Sequence, residues 1–437
     1  MKRLIELNDL MLKPQTKLVI GYTSSVIYDF EKKKSYQISR LAGDFLEKVF
    51  GNKRIQNRKV AFDRWIEKKN KLSGHALEEL FRFVDQLKKI GVLVPISEKE
   101  KGEIEVFNLE TAFPIPNSPV FSILECTSRC NFHCPHCYLG KKNPAQDLNL
   151  DIIYSLLIQL QEMKVRSVLL TGGEICLRDD LKEIITFAYR LGLKIEMSTN
   201  GSLLSRWIDV VDKYVDKIQI TLYGFSKETY LRFSNNPNTL NEVISVIEEI
   251  RKKNPETLLL TFTLTPYNYQ DVVYFLRFVR EKNIKHKIGR TLPIGLALKD
   301  KNLLPNSCYS LFISRFEKKY LKENSFPFRT RVCPLDRITV LSNGKVTICP
   351  LSRTPKLIFG DIYHRTLKEI WYEKMRPSFA SFSVDNLEIC KDCEFKYLCG
   401  GGCPALWYIL EPLKRAKTPP CESPFFTKRY ILKNIEN

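Results

Sequence analysis

The run ECTSRCNFHCPHCY (residues 125–138) places Cys130, Cys134 and Cys137 in a C-x3-C-x2-C spacing. Soft thiolates spaced like this suit an iron–sulfur cluster, and three ligands for a four-iron cluster leave one iron open to chelate a substrate or cofactor. A start at Cys126 would need a third cysteine where His133 stands, so Cys126 reads as a small core residue. A zinc knuckle would need a fourth ligand, and none has suitable spacing. Farther along come Cys333, Gly344 and Cys349, then Cys390, Cys393, Cys399 and Cys403 in C-x2-C-x5-C-x3-C, then Cys421. On their own, Cys390, Cys393, Cys399 and Cys403 would also suit tetrahedral zinc. Three polar runs accompany the cysteines. In Thr171-Gly172-Gly173-Glu174 the glycines let backbone approach a ligand, and the carboxylate can accept bonds from an ammonium. Ser198-Thr199-Asn200-Gly201 offers polar side chains suited to ribose hydroxyls, and Arg290, three residues before Pro293, offers a cation for a carboxylate. Each run alone is an ordinary turn; together, at the ends of successive strands, they describe one site.

The elements that must position these residues alternate from Val120 to about Pro293. Strands are expected at Phe121–Cys126, Ser167–Thr171, Lys194–Ser198, Lys217–Leu222, Leu258–Thr265 and His286–Leu292, with amphipathic helices such as Leu181–Leu191 and Val272–Glu281 between them. Six βα units predict an α/β fold, an open or partial barrel, with ligands at the carboxyl ends of its strands. Every polar run above falls there. Residues 119–300 are therefore read as the barrel, 301–332 as a bridging region and 333–437 as a cysteine-rich segment held by metal rather than by a large apolar core.

Residues 1–97 form a separate α+β unit. Three strands are expected at Leu18–Tyr22, Ser25–Phe30 and Ser35–Ser39. A helix at Leu41–Phe50 follows, then one that begins at Ser73, carries Leu77, Leu80, Phe81, Val84, Leu87 and Ile90 on one face and stops at Gly91. Strands followed by helices suggest a winged-helix shape. The basic stretch Lys53–Lys71 reads as a solvated surface or a face for an acidic partner, and residues 98–118 as a linker. No apolar run approaches the roughly 18 residues of a membrane helix, and Glu6 and Asp9 spoil any signal-peptide core after Lys2 and Arg3. The expectation is a cytoplasmic protein, where 13 cysteines point to metal ligation or redox chemistry rather than disulfides. The formal charge of +20 calls for an anionic partner.

The cysteine triplet, in register with Gly-Gly-Glu and the later strand ends, resembles the radical S-adenosylmethionine (SAM) superfamily. That resemblance implies that Cys130, Cys134 and Cys137 hold a [4Fe-4S] cluster whose fourth iron binds SAM, and that reductive cleavage of SAM yields a 5′-deoxyadenosyl radical. It further implies that Gly172, Gly173 and Glu174 hold the SAM amine, Ser198, Thr199 and Asn200 its ribose, and Arg290 its carboxylate, with Tyr138 near the adenine. The downstream cysteines resemble the SPASM domain, which carries two auxiliary [4Fe-4S] clusters, for three in all. Carried over, Cys390, Cys393, Cys399 and Cys421 form the outer set and Cys333, Cys349 and Cys403 the inner one, with Cys308 as its candidate fourth ligand. Residues 1–97 resemble the RiPP recognition element, a winged-helix-like module that binds leader peptides of ribosomally made precursors. Their 20 Lys and Arg against 11 Asp and Glu would suit an acidic leader. A nucleic-acid role would want a basic recognition helix, whereas the helix after Ser73 includes Glu78, Glu79 and Asp85.

The resemblance implies a maturase that abstracts hydrogen from an unactivated carbon of a precursor peptide and forms a crosslink, with a flavodoxin- or ferredoxin-type electron donor. Radical addition leaves one surplus electron, which an auxiliary cluster can accept while a base removes the proton, so the peptide loses two hydrogens. The domain order and length resemble the streptide-type enzymes, which join a lysine β-carbon to a tryptophan ring. Sactionine thioether synthesis and peptide epimerisation are the alternatives, and a non-catalytic peptide-binding scaffold is a further one. An RNA-modifying radical enzyme would suit the charge but leaves the SPASM cysteines unexplained.

Overall fold

The structure, a computed structural model, describes residues 6–13, 16–20, 24–29, 34–50, 58–68, 74–96, 105–108, 115–140, 145–234, 236, 238–292, 294–300, 333, 335–386, 390, 393, 396–401, 403–405 and 408. Near the N-terminus, β1 (Leu10–Leu12) is followed by a meander of β2 (Thr16–Ile20), β3 (Ser24–Asp29) and β4 (Lys34–Ser39). The helices α1 (Arg40–Phe50), α2 (Arg58–Lys68) and α3 (Gly74–Lys89) come next. In α1, Ala42, Phe45, Leu46 and Val49 recur at helical spacing and are buried. Phe45, Leu46 and Val49 meet Leu18, Ile20 and Ile27 of the sheet in one hydrophobic core. Gly91, with φ of 71°, ends the turn after α3, a backbone angle that glycine adopts without a Cβ penalty.

Three features of this half depart from the sequence expectation. The basic stretch Lys53–Lys71 contains α2, whose Phe62 and Trp65 are buried against Phe45 with ring centroids 6.1 and 5.5 Å apart. Its lysines and arginines obscure two aromatics spaced three apart, the helical signal. β1 pairs antiparallel with β5 (Leu93–Pro95), tying the start of this unit to its end. Within the supposed linker, β6 (Glu105–Asn108) joins β2 in parallel, giving the strand order β4-β3-β2-β6. The alternation Glu103-Ile104-Glu105-Val106 is the period-two signal, hidden among Lys and Glu.

The second half holds β7 (Phe121–Thr127), β8 (Ser167–Gly172), β9 (Lys194–Thr199), β10 (Lys217–Leu222), β11 (Leu258–Leu264) and β12 (Lys285–Arg290). They lie in sequence order, all parallel, with α4 (Leu150–Glu162), α5 (Leu181–Arg190), α6 (Ile208–Tyr214), α7 (Thr239–Lys253) and α8 (Val272–Glu281) among the connections. This is the expected partial barrel. Ile218, Ile220 and Leu222 of β10 are wholly buried in the large core while Lys217, Gln219 and Thr221 between them are half-buried. One sheet face is thus dry and the other can accept a polar ligand.

The region after Cys333 is more regular than expected. β13 (Arg337–Val340) pairs in parallel with β7, and β14 (Lys345–Thr347) and β15 (Gly360–Asp361) extend the same sheet to nine strands. This cysteine-rich segment therefore grows from the first barrel strand rather than standing apart on metal alone. Residues 301–332, which include Cys308, and Cys421 lie outside the described residues. No helix among the described residues is long and apolar enough to cross a membrane.

Candidate active site

The site is built at the carboxyl ends of the parallel strands. β7 shifts register against β8 between Glu125 and Thr127, immediately before the cysteine loop. Asp147 clamps the loop's start: it accepts bonds from Thr127 Oγ1 at 2.5 Å and Arg129 Nε at 2.8 Å. The Arg178 guanidinium, paired with Asp180 at 2.7 Å, donates to the carbonyls of Cys126 and Leu148. Cys126 itself is fully buried, its thiol against the Leu124 carbonyl, and burial pushes its pKa up to about 12. Such a thiol stays protonated and packs as a small apolar group.

Beyond Thr127 the loop carries Cys130, Cys134 and Cys137, with Cys134 buried and the other two half-buried. Its middle is pinned by a bridge between Phe132 and Ser234 and by the His133 N–H on the Phe233 carbonyl, 3.0 Å. Its end is pinned by Leu296, whose N–H donates to the Cys137 carbonyl at 3.0 Å. Gly295, at φ of 62°, makes that approach feasible, because a Cβ there would strike the carbonyls of Cys137 and Tyr138. Sequence reading passed over Gly295, although a glycine two residues after Pro293 was its signal. It also passed over Tyr223, which follows β10. The Tyr223 hydroxyl is hydrogen-bonded to the Cys134 thiol, and burial first, then Cys134 and Cys130, hold it well above its usual pKa. A protonated phenol at that position donates toward sulfur.

Glu174 crosses the strand ends. Its Oε1 accepts from Cys176 N at 2.9 Å and Thr199 Oγ1 at 2.7 Å, and Oε2 accepts from Asn200 N at 2.7 Å. The carboxylate is wholly buried, and desolvation raises its pKa while these donors pull it back. Asn200 continues the chain of contacts, its Nδ2 donating to Asn131 Oδ1 at 2.9 Å inside the cysteine loop. The Gly-Gly-Glu turn and the Ser-Thr-Asn turn therefore brace each other and the loop, with Ser198 half-buried on β9 beside them. The glycine expectation changes in one respect. The room at Gly172 and Gly173 is filled by protein backbone, since a Cβ at either would collide with the carbonyl of Thr127 or Arg129. These glycines let the second strand end press onto the root of the cysteine loop. Tyr138 lies next to Gly172, its hydroxyl 3.5 Å from that carbonyl. Arg290 ends β12 in register with Leu264, and its side chain lies outside the described residues.

In the cysteine-rich segment the Cys333 thiol is pushed up to about 11, by burial first and to a smaller extent by Cys349 and Cys403. Cys349 and Cys403, the other two of the inner set, are thus both felt by Cys333. Cys393 N donates to the Cys390 carbonyl at 3.0 Å, as in a tight turn, and Cys399 ends α9 (Lys396–Cys399), its side chain outside the described residues. Gly400 and Gly401, both at positive φ, turn the chain toward Cys403.

Among the described residues no three His, Cys, Asp or Glu side chains are gathered as a single ion would require. A four-iron cube has a different need, because each thiolate binds its own iron. Two orphaned buried nitrogens fit an anionic, sulfur-rich group. His136 Nδ1, within the cysteine loop, and Arg353 Nε, four residues after Cys349, are buried without a hydrogen-bond partner. Burial holds the His136 imidazole down to about 4, so it is neutral and one ring nitrogen can donate.

The chain is similar to known proteins in both its halves of the site. The radical SAM superfamily profile matches residues 124–279, and that of the SPASM iron–sulfur cluster-binding domain matches residues 333–394. A probable GTP 3′,8-cyclase of Sulfolobus acidocaldarius is 33% identical over 174 residues, which are 39% of this chain and 55% of that enzyme. The chain thus covers little more than half the length of that relative. The PqqA peptide cyclase of Gluconobacter oxydans is 26% identical over 313 residues, covering 66% of this chain and 86% of the relative. Among solved structures, Streptococcus suis SuiB bound to its precursor peptide SuiA superposes with a TM-score of 0.56 at 15% identity, over 94% of this chain and 98% of SuiB. At that identity the likeness concerns the fold.

Proposed function

We propose that this chain, which carries a radical SAM domain followed by a SPASM iron–sulfur domain, is a maturase of a ribosomally made precursor peptide and forms an intrapeptide carbon–carbon crosslink between lysine and tryptophan. The observation that carries the reading is the placement of two cysteine groups on one sheet. The triplet leaves the end of β7, while Cys333 precedes β13, the strand paired with β7, and Cys349 follows β14, the next strand of the same sheet. The nature of the relatives supports a peptide as substrate, since one is named for a peptide cyclase and a structural neighbour is bound to a precursor peptide.

When bound, SAM and its cluster supply a carbon-centred radical able to remove hydrogen from an unactivated C–H bond. The protein's own part is positional. Asp147, Phe233 and Leu296 hold the three thiols in one loop. Tyr223 donates toward Cys134. Glu174 ties the SAM-contacting turns together, with Ser198 on β9 beside them, and Arg290 at the end of β12 is assigned to the SAM carboxylate. In this reading the outer set is Cys390, Cys393, Cys399 and Cys421, and Cys308 completes the inner one. Residues 1–97 capture an acidic leader through the unit built on β2, β3 and β4. A flavodoxin- or ferredoxin-type protein supplies electrons.

Thioether formation is the second reading. The grouping of Cys333, Cys349 and Cys403 as a set of three favours it, since a substrate thiolate can fill a fourth position. Anaerobic reconstitution should yield about twelve irons per chain in three clusters, and SAM cleavage to 5′-deoxyadenosine after reduction. Iron binding without SAM cleavage would contradict the catalytic reading and favour a scaffold.

A further inference from the structure

The strands β7 and β13 stop pairing at Leu124 and Val340. The next residue of β7 is Glu125, whose side chain is wholly buried. One carboxylate oxygen is ion-paired with Arg353 Nη2, across 228 residues of sequence, and the other faces the Ser342 N–H at 3.4 Å. The Arg353 guanidinium also lies over the Tyr138 ring, 5.4 Å from its centroid. The Tyr138 hydroxyl is turned to the same carboxylate and to the Gly172 carbonyl. Tyr138 follows Cys137 directly. On the other side, Ser352 precedes Arg353 and stands 3.1 Å from the Cys349 thiol.

We infer that Glu125, Arg353 and Tyr138 are positioning residues: a buried carboxylate paired with a half-buried arginine and capped by an aromatic ring, which docks the Cys349 loop onto the Cys130–Cys137 loop where the β-ladder ends. The inference rests on the reading of those loops as cluster sites. A β-ladder fixes spacing while it lasts, and the hydrogen bonds between β7 and β13 stop at Leu124, before the two loops begin. A buried carboxylate with one strong partner is a suitable latch. Its charge requires Arg353 in place, and breaking the pair leaves an uncompensated charge in a dry site. Burial raises the Glu125 pKa and Arg353 opposes that shift, so removal of the arginine leaves burial unopposed by its main partner. Arginine offers a planar group that can pair and stack at once, whereas lysine retains only the charge.

The test compares wild-type, Arg353→Gln, Arg353→Lys and Glu125→Gln proteins, full-length and reconstituted with iron and sulfide. Hydrogen exchange is followed in the segment 345–353, and the relaxation of the reduced SAM-cluster resonance, quickened by a neighbouring paramagnetic cluster, is read by electron paramagnetic resonance. Arg353→Gln should raise exchange there at least tenfold and slow the relaxation at least twofold. Arg353→Lys should recover part of both, and Glu125→Gln should resemble Arg353→Gln. Exchange and relaxation equal to wild type in Arg353→Gln would overturn the inference. Should Arg353→Gln not fold, Arg353→Lys alone decides, with unchanged relaxation counting against it. Absence of any SAM-cluster resonance in the wild type would defeat the reading of the loops instead, while the exchange comparison would still judge the docking.

Discussion

At the scale of single residues, the site is an economy of acceptors and close approaches. Glu174 is wholly buried and takes three donors, so Glu174→Gln turns one accepting oxygen into an NH2 group facing a donor. The mismatch should cost about 1–3 kcal/mol of stability, measurable by urea unfolding, and weaken SAM binding. Gly173→Ala puts a methyl group into the Arg129 carbonyl, which must push the cysteine loop outward. Its SAM affinity should fall at least tenfold in anaerobic titration; unchanged affinity would show that the loop position is not set there. Replacing Cys130, Cys134 or Cys137 by Ala should abolish SAM cleavage. Cys399→Ala should retain cleavage and lose peptide product, and wild-type product from it would refute the proposed outer set.

At the scale of elements, the sequence was legible where one period dominated. The strand Lys217–Leu222 and the helix Val272–Glu281 coincide with their expected bounds, because apolar residues alternate in the first and recur every three to four in the second. Legibility failed where charge masked a short apolar signal. Phe62 and Trp65 in α2 are surrounded by Arg and Lys, and Val106 and Phe107 in β6 follow a Lys- and Glu-rich run. β13 was hidden for another reason: its four residues gain stability from pairing with β7, a long-range contact that no local pattern announces. The positional residues Tyr223, Gly295 and Arg353 were missed likewise, since their partners lie tens to hundreds of positions away. The buried Trp65 makes the case for α2 testable. Trp65→Ala should destabilise the N-terminal unit by about 3–5 kcal/mol, read by thermal unfolding of that transition, while the iron content stays at the wild-type level.

For the whole molecule, two hydrophobic cores divide the labour, one built from Leu7 to Leu93 and the other centred on the nine-stranded sheet. The proposed roles follow that division, with peptide capture in the first and radical chemistry in the second. Deleting residues 1–97 should weaken leader binding while SAM cleavage without peptide turnover persists; unchanged leader affinity would remove the recognition role. The central claim is that the chain crosslinks a peptide by radical chemistry. The most direct measurement is high-resolution tandem mass spectrometry of a short precursor peptide with an acidic leader and a core containing lysine and tryptophan, after anaerobic incubation with the reconstituted protein, SAM and reductant. The account predicts a loss of two hydrogens, with fragmentation missing between a lysine and a tryptophan. An unchanged mass with deuterium taken up from heavy water would mean epimerisation, and would contradict it.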